Sequence, residues 1–347
     1  MSEGEVVSDR ALESGSETES APPVPKQRPT LEKSATMWAA IIGIWALTIV
    51  LSLPFMATLL ASAGTPVTLG LTAVIVLSLP VFWLFGVYNI VVTAVGYRSK
   101  TEPERIPYGV MEDREVAIVY PTYNDFMPGH LERSRHQSHE NTHTYIVDDS
   151  TEEAVIAEID DYATGDRDVT VVRREGREGF KAGGINHALE TAIDEPFFVL
   201  MDADEVLPEE FVETTITYFA GDDVGFVQGN HDHNRETATR FGNHLGIGVD
   251  IHWDVYQPPR NAYGFVMLLG HGAIIRRDVW EEIGGFPEIV SEDLAFATRA
   301  RRHGYKGVFA PEVDCLEDFP PDFRAFRRRH KKWTGGSIEY IYKKLPG

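Results

Sequence analysis

Two long apolar segments stand near the start of the chain, Ala35–Ala63 and Val67–Tyr97, and neither contains a charged residue. Each exceeds the ~20 residues that an α-helix needs to cross the hydrocarbon core of a bilayer. The pattern therefore predicts two transmembrane helices. A cleaved signal peptide is the alternative for the first segment, and a buried core hairpin is the alternative for both.

The polar residues around these segments predict their orientation. Residues 1–34 are rich in Ser, Glu and Pro and are expected to form a disordered acidic tail. The turn Gly64–Pro66 is uncharged, whereas basic residues flank the outer ends of the segments: Lys26, Arg28 and Lys33 before the first, and Arg98, Lys100 and Arg105 after the second. By the positive-inside rule both outer ends face the cytoplasm. We therefore expect a multi-pass protein of the cell membrane, with a linker over residues 98–112 and a cytoplasmic domain over residues 113–347.

Short apolar runs alternate with helical patterns in that domain, which is typical of an α/β sheet with helices packed on it. The predicted strands are Val116–Pro121, Thr144–Asp148, Val169–Val172, Phe197–Met201, Gly225–Gln228 and Val308–Ala310. The predicted helices are Gly184–Ile193, Val279–Ile283 and Glu292–His303, the last with Ser291 as its N-cap. Ligands of such sheets bind beyond the carboxyl ends of the strands, so polar residues directly after an apolar run are the candidates for a site.

Three apolar runs end in polar clusters, Val119–Asp125, Ile146–Ser150 and Val199–Glu205, which are expected to converge on one edge of the sheet. In the third cluster one residue separates Asp202 from Asp204, so both carboxylates can reach one hard divalent cation. Such a cation is commonly shared with substrate phosphates. An Asp-x-Asp pair also occurs by chance in solvated turns, but its place after a strand favours a metal site.

Two further segments are candidates for ligand contacts. Asp148 or Asp149 could accept hydrogen bonds from a nucleoside, or the pair could form a turn at a strand end. Lys181, Gly183 and Gly184 open a predicted helix, which would let the backbone approach a phosphate closely. A plain helix entry is the alternative there.

The carboxyl-terminal part of the domain holds a candidate base and a basic segment. Asp293 lies in the first turn of a predicted helix and could deprotonate an acceptor hydroxyl, although a carboxylate there also stabilises the helix. The basic segment Arg327–Trp333 could hold pyrophosphate and offer an aromatic face to a sugar, or it could touch anionic lipid. His231 and His233 would share one strand face and could line the sugar site.

Composition narrows the function further. The sequence has 53 acidic and 32 basic side chains and a formal net charge of −21, which would repel nucleic acid. Acidic residues spread through a folded region are typical of proteins adapted to high salt, so we predict a halophilic source. The single cysteine, Cys315, can neither close an intrachain disulfide nor build a cysteine-based zinc site.

Taken in order, these segments resemble the family 2 glycosyltransferases, in particular the membrane-embedded branch that includes cellulose synthase and hyaluronan synthase. The resemblance runs from Val116 to Trp333. Its most specific segments are Pro121–Asn124, Asp148–Ser150, Lys181–Ala188, Asp202–Asp204 and Gly270–Arg277. Ser291–Asp293 is similar to the family's Thr-Glu-Asp, and Arg329-x-x-Lys332-Trp333 is similar to its Gln-x-x-Arg-Trp.

The resemblance implies a GT-A fold, which is Rossmann-like, and inverting transfer from a nucleotide-diphosphate sugar to a glycan or lipid-linked acceptor, with polysaccharide synthesis as one such reaction. It favours UDP as the carrier and Mg²⁺ or Mn²⁺ as the cofactor. It implies that Asp202 and Asp204 bind the metal and that Asp293, beside Glu292, is the catalytic base. The other site residues it implies are Pro121, Tyr123, Asp148, Asp149, Lys181 and Asp202 for the nucleotide sugar, and His271, Arg329, Lys332 and Trp333 for the acceptor and diphosphate.

The sequence departs from the family pattern in three respects. Arg329 and Lys332 replace Gln and Arg, and His271 stands where relatives often carry Cys, so processivity and the acceptor stay open. The chain ends at Gly347, before the further membrane helices expected of a polymer-exporting enzyme. It is therefore expected either to be part of a longer protein or not to export polymer itself.

Two other functions compete with this one. Asp202–Val206 also fits the Asp-x-Asp-x-Val start of a haloacid-dehalogenase-type phosphohydrolase, in which Asp202 would be the nucleophile. That motif normally opens its domain, whereas α/β sequence precedes it here. An inactive membrane scaffold is the other alternative, and the complete set of carboxylates disfavours it.

Overall fold

A computed structural model describes residues 31–98, 102–165, 168–263 and 265–344. Most of the predicted acidic tail lies outside the described residues, and residues 31–34 of it belong to the first helix. Two long apolar helices lead into a mixed α/β sheet with helices on both faces. The predicted fold class is therefore confirmed.

The two apolar segments form helices α1 (Leu31–Ala61) and α2 (Pro66–Arg98), which pack on each other. Each contains a stretch long and apolar enough to cross a membrane. Their large side chains are mostly exposed, for example Leu51 at 72% and Leu77 at 75%, unlike the side chains of a core hairpin. Arg260 of the domain donates a 3.4 Å hydrogen bond to the Tyr88 hydroxyl, which links α2 to the sheet domain.

The sheet of the described residues has eight strands in the order β3-β2-β1-β4-β7-β6-β8-β5. β3, β2, β1 and β4 run parallel, β7 runs antiparallel to both its neighbours, and β6 and β8 run parallel to each other. The strands are β1 (Val116–Thr122), β2 (Thr142–Asp148), β3 (Val169–Val172), β4 (Phe197–Leu200), β5 (Glu205–Val206), β6 (Val224–His233), β7 (Ala273–Arg276) and β8 (Lys306–Glu317).

Helices cover both faces of the sheet, because inward-facing residues on each face are apolar. Along β1, Ala117 and Val119 pack into one core, and Val116, Ile118 and Tyr120 pack into the other. The domain helices are α3 (Pro128–Arg135), α4 (Glu153–Thr164), α5 (Phe180–Thr191), α6 (Phe211–Ile216), α7 (Arg240–Ile251), α8 (Arg260–Tyr263), α9 (Arg277–Glu282), α10 (Glu292–Arg302) and α11 (Phe323–Lys344). A π-helical turn, His252–Tyr256, follows α7 and contacts α2.

Each predicted strand and helix overlaps one in the structure, but several elements were missed. The strand β7 lies inside the motif Gly270–Arg277, and the long helix α11 contains the basic segment Arg327–Trp333. The predicted helix at Gly184 begins earlier, at Phe180. These differences matter for the site, because β7 and α11 both border it.

Candidate active site

Neighbouring strands bring the three polar clusters to one edge of the sheet. β1 and β2 end in register, with Thr122 opposite Asp148, and β4 pairs with the other side of β1. Because the three strands are parallel, their carboxyl ends share that edge. Asp202 and Asp204 follow β4 directly, so the predicted convergence of the clusters is present in the structure.

Arginine side chains hold the loop after β2. Asp148 is buried, and its carboxylate accepts hydrogen bonds from the Ser150 amide (2.8 Å) and from Arg173 (2.7 Å). Asp149 accepts two bonds from Arg174, at 2.9 and 2.7 Å. Both carboxylates therefore have partners within the domain, and contact with a nucleoside stays a prediction for each.

The loop after β1 presents an aromatic ring beside this pair. Tyr123 is 39% exposed, and the Arg177 guanidinium lies 3.3 Å from the centre of its ring. Pro121 lies beyond the last residue of β1 that pairs with β4. Its lack of an N–H therefore removes no hydrogen bond between these two strands. The Asn124 side chain accepts a 2.8 Å hydrogen bond from the Thr151 amide and so ties the two loops together. An exposed ring with a stacked cation is suited to lie against a nucleobase.

Lys181 connects α5 to the strand end. Its ammonium hydrogen-bonds the Asp202 carboxylate and donates a 2.7 Å bond to the Gly270 carbonyl. Gly183 lies inside the helix, where a Cβ would be 2.1 Å from the Glu178 carbonyl oxygen. Packing within the fold therefore accounts for Gly183, and close approach of this backbone to a phosphate stays a prediction.

Asp202 and Asp204 lie side by side at the strand end, with 34% and 42% of their side chains exposed. Burial would raise the pKa of Asp202, but Lys181 outweighs it and lowers the pKa to about 2. Burial and the charge of Asp202 raise the pKa of Asp204 to about 7. Arg329 lies 3.7 Å from Asp204 and also pairs with Glu317.

This pair fits a divalent cation. Two adjacent carboxylates supply the oxygen ligands that Mg²⁺ and Mn²⁺ prefer, and both remain partly open to solvent. After burial, repulsion by the charge of Asp202 is the next cause of the raised pKa of Asp204. A bound cation would relieve that repulsion.

Glu205 is a buried carboxylate whose role at the site was missed. One oxygen lies 3.1 Å from His271 Nδ1 and 3.4 Å from His231 Nδ1, and the other accepts a 3.1 Å bond from the Gly272 amide. Burial alone would lower the pKa of His271, but Glu205 raises it to about 10. His271 is therefore a cation at neutral pH, and Glu205 fixes its position.

Gln228 was also missed as a site residue. Its buried side chain donates to the carbonyls of His271 (2.9 Å) and Gly272 (3.0 Å) and accepts a 2.9 Å bond from the Leu269 amide. These bonds hold the loop before β7, whose Gly270 carbonyl accepts the bond from Lys181. Only the neighbourhood of β6 and β7 reveals this role, and the sequence pattern gave no sign of it.

The start of α10 places two carboxylates near this loop. Ser291 is the N-cap residue, as predicted, although its side chain makes no capping bond. The Asp293 carboxylate accepts a 2.7 Å bond from the Leu294 amide. Burial raises the pKa of Asp293, and it raises the pKa of Glu292 to about 7. An added Cβ at Gly270 would lie 3.5 Å from the Asp293 carboxylate, and the Gly270 carbonyl accepts the bond from Lys181. The candidate base therefore lies close to the carboxylates that could bind the metal.

Helix α11 borders the site with the basic segment. The Arg329 guanidinium lies 5.1 Å from the Trp333 ring, which is 50% exposed. Asp204, Arg329 and Lys332 line a cavity of about 600 Å³ together with the loop before α11. Trp333 is not among the described residues that line that cavity, and its acceptor contact stays a prediction.

Gly272 gives a first test of this packing. Its φ is +55°, and a Cβ there would lie 2.6 Å from both Glu205 Oε1 and the His231 ring. We expect Gly272→Ala to lower the free energy of unfolding by roughly 1–3 kcal/mol or more, because strain and overpacking add. Gly284→Ala is the matched control, since Gly284 has a φ of +77° but open space around its Cβ position. Equal losses in denaturant unfolding of the two variants would contradict the packing described here.

Comparisons with known proteins bear on the fold and the family. The family model described as glycosyl transferase family group 2 matches residues 197–345. Glucomannan 4-beta-mannosyltransferase 1 from Cyamopsis tetragonoloba is 27% identical over 209 residues, which are 58% of this chain and 40% of that protein. The chain thus spans less than half the length of that relative.

One solved structure shares the architecture of the domain. The mannosyltransferase PcManGT from Pyrobaculum calidifontis, solved with GDP-Man and Mn²⁺, superposes with a TM-score of 0.57 and 21% identity over 75% of this chain and 72% of that one. The structure of S. aureus TarS residues 1–349 with UDP-GlcNAc gives a TM-score of 0.44 and 14% identity over 67% and 68%. The first of these likenesses establishes the fold of the domain.

Proposed function

We propose that this chain, a family 2 glycosyltransferase with a GT-A domain, transfers a sugar from a nucleotide-diphosphate sugar to a glycan or lipid-linked acceptor with inversion at the anomeric carbon. The observation that carries the proposal is that Lys181 hydrogen-bonds both Asp202 and the Gly270 carbonyl, while Asp293 lies against Gly270. Such a reaction requires two parts, a pair of carboxylates that binds one metal ion and a base.

Separate groups of residues would bind the donor and the acceptor. Asp202 and Asp204 would hold Mg²⁺ or Mn²⁺, which supplies charge neutralisation on the diphosphate when it is bound. Lys181 and Arg329 lie against these two carboxylates and would bind diphosphate oxygens. Asp149 and Tyr123 would contact the nucleoside at the neighbouring strand ends.

Asp293 is the proposed base. It would take the proton from the acceptor hydroxyl while that oxygen bonds to the anomeric carbon and the bond from that carbon to the diphosphate breaks. His271, charged through Glu205, lies on the same loop as Gly270 and would add a fixed positive charge near the leaving group. A phosphohydrolase with Asp202 as nucleophile is less well supported, because Lys181 engages that carboxylate and β4 is the fourth strand of the domain.

Mannose is the sugar we propose to test first, because the relative from Cyamopsis tetragonoloba is named a mannosyltransferase. The test is calorimetric binding of GDP-mannose and of UDP-sugars to the purified chain, with and without Mn²⁺. We expect metal-dependent binding of one nucleotide class. If neither class binds in the presence of Mn²⁺, the proposed donor chemistry is wrong.

The membrane arrangement is also proposed. Helices α1 and α2 expose their apolar side chains, and basic residues flank their outer ends, which supports a multi-pass protein with its GT-A domain in the cytoplasm. A cysteine-accessibility assay in intact cells tests this, with the single native Cys315 first replaced by Ser. Labelling of a new cysteine after α2 by an impermeant reagent added outside would contradict it.

The pH dependence of turnover provides a further prediction. A base must be ionised to act, and burial raises the pKa of Asp293, so protonation inactivates the enzyme at a higher pH than it would for an exposed aspartate. We expect kcat/KM at saturating metal to fall with decreasing pH, with a midpoint clearly above the value of about 4 typical of aspartate. Because the pKa of Glu292 is raised to about 7, the Glu292→Gln variant must be measured in parallel. A midpoint that disappears in that variant would assign the transition to Glu292 instead.

A further inference from the structure

A second group of metal-ligating side chains lies away from Asp202 and Asp204, at the end of β6. His233 is the last residue of β6, Asp232 precedes it, and Asp250 lies near the end of α7. One ligand atom from each lies within 4.8 Å of the others. None of the three is used in the proposed transfer reaction.

The distances within this group are those of a coordination sphere. His233 Nδ1 lies 3.3 Å from Asp232 Oδ1 and 3.3 Å from Asp250 Oδ2. Ligand atoms that each lie about 2.0–2.1 Å from one metal ion are separated by roughly 2.9–3.4 Å in octahedral or tetrahedral geometry. His233 Nδ1 and either carboxylate oxygen are therefore spaced to share one ion, and the three ligand atoms lie within 4.8 Å of one another.

The surroundings hold the imidazole in place. Its ring stacks on Phe319 with centroids 5.8 Å apart, and a Cβ at Gly246 of α7 would lie 2.6 Å from it. The His233 side chain is only 6% exposed, whereas Asp232 and Asp250 are 38% and 21% exposed. The imidazole is thus held rigidly by its neighbours, whereas the two carboxylates are open to solvent, from which an ion can enter.

The local charge also favours a cation. The Arg235 guanidinium is 4.0 Å from Asp232 and lies on an exposed side chain, so its charge is largely screened by solvent. Two ionised carboxylates that converge on one imidazole give the group net negative charge whether or not the ring is protonated, and a divalent ion would balance that charge.

We propose that Asp232, His233 and Asp250 form a second metal site, which takes a divalent first-row transition metal such as Mn²⁺. Two carboxylates and one imidazole suit Mn²⁺, Fe²⁺ and Zn²⁺ better than Ca²⁺. Binding at His233 Nδ1 requires the lone pair of that nitrogen, so the single proton of the neutral ring then lies on Nε2. The ion would pin α7 to the end of β6, beside Phe319, which lines the cavity next to Asp204.

The test uses the full chain in detergent and Mn²⁺ as the probe. Electron spin-echo spectroscopy detects the nitrogen of a coordinated imidazole, and metal analysis gives the stoichiometry. The Asp204→Ala variant removes a ligand of the ion proposed to bind with the nucleotide sugar. In this variant we expect one Mn²⁺ to remain bound at the second site and to show nitrogen coupling. This background is required because His271 lies near Asp202 and could contribute nitrogen coupling in the native chain.

Adding His233→Gln to Asp204→Ala should abolish the remaining tightly bound Mn²⁺ and the nitrogen signal together. Asp250→Asn in the same background should weaken Mn²⁺ binding at least tenfold. Because this variant keeps the imidazole, it replaces the His233→Gln test if that variant does not fold. Absence of nitrogen-coupled Mn²⁺ from Asp204→Ala, or its persistence after His233→Gln, would overturn the proposal. These readouts need no turnover, so a failure of the transferase proposal would not affect them.

Discussion

Replacing Asp204 with alanine is expected to reduce nucleoside diphosphate release by a factor of about 10²–10³ or more, comparable to the loss of one charge-stabilising group in an active site. The carboxylate is one of two proposed metal ligands, and Asp202 alone is already neutralised by Lys181. The measurement is initial-rate release of nucleoside diphosphate over a series of Mn²⁺ concentrations. We expect the residual activity to require much more Mn²⁺ than the native chain does.

Asp194→Ala is the matched control for this prediction. Asp194 is a fully exposed aspartate, so its replacement removes the same charge far from the strand end. Native activity in this control and loss of activity in Asp204→Ala would tie the effect to the site. A fully active Asp204→Ala enzyme would remove Asp204 from the metal site.

Replacing Asp293 with asparagine is expected to lower kcat by about 10²–10⁴, the usual contribution of a general base. The amide oxygen can still accept the bond from the Leu294 amide, so the start of α10 should be preserved. Binding of the nucleotide sugar, measured by calorimetry, should stay within about twofold of native, because Asp293 is proposed to contact the acceptor and not the donor.

The comparison of binding with turnover decides the role of Asp293. Loss of donor binding in Asp293→Asn would mean that the carboxylate helps to hold the donor. Glu292→Gln is the neighbouring control, since Glu292 is also buried at the start of α10. Equal losses of kcat in both variants would indicate a shared electrostatic role for the pair and no dedicated base.

The sequence could predict the parts of this fold that depend on local pattern. The apolar segments before Arg98 were long enough to identify α1 and α2, and runs such as Val116–Pro121 and Phe197–Met201 identified β1 and β4. Asp202 and Asp204 could be placed at the site because their position after a strand is visible in the sequence. Parallel strands then bring such ends together without further information.

Residues whose roles depend on strand order could not be predicted. Glu205 reaches His271 only because the strands around β7 bring the two segments together, and Gln228 holds the same loop because β6 pairs with β7. That antiparallel insertion of β7 into the sheet has no local signature. Likewise, the sequence could not show that Arg173 and Arg174 would engage Asp148 and Asp149.

Release of nucleoside diphosphate is the most direct test of the central claim that Asp202 and Asp204 hold the metal of a sugar-transferring site. The purified chain, in detergent and high salt, is given GDP-mannose or a UDP-sugar in the presence of Mn²⁺. We expect release from the native chain that stops on chelation of the metal and is lost in Asp204→Ala. No release from any nucleotide sugar, together with phosphate release from simple phosphoesters, would contradict the account and favour a phosphohydrolase.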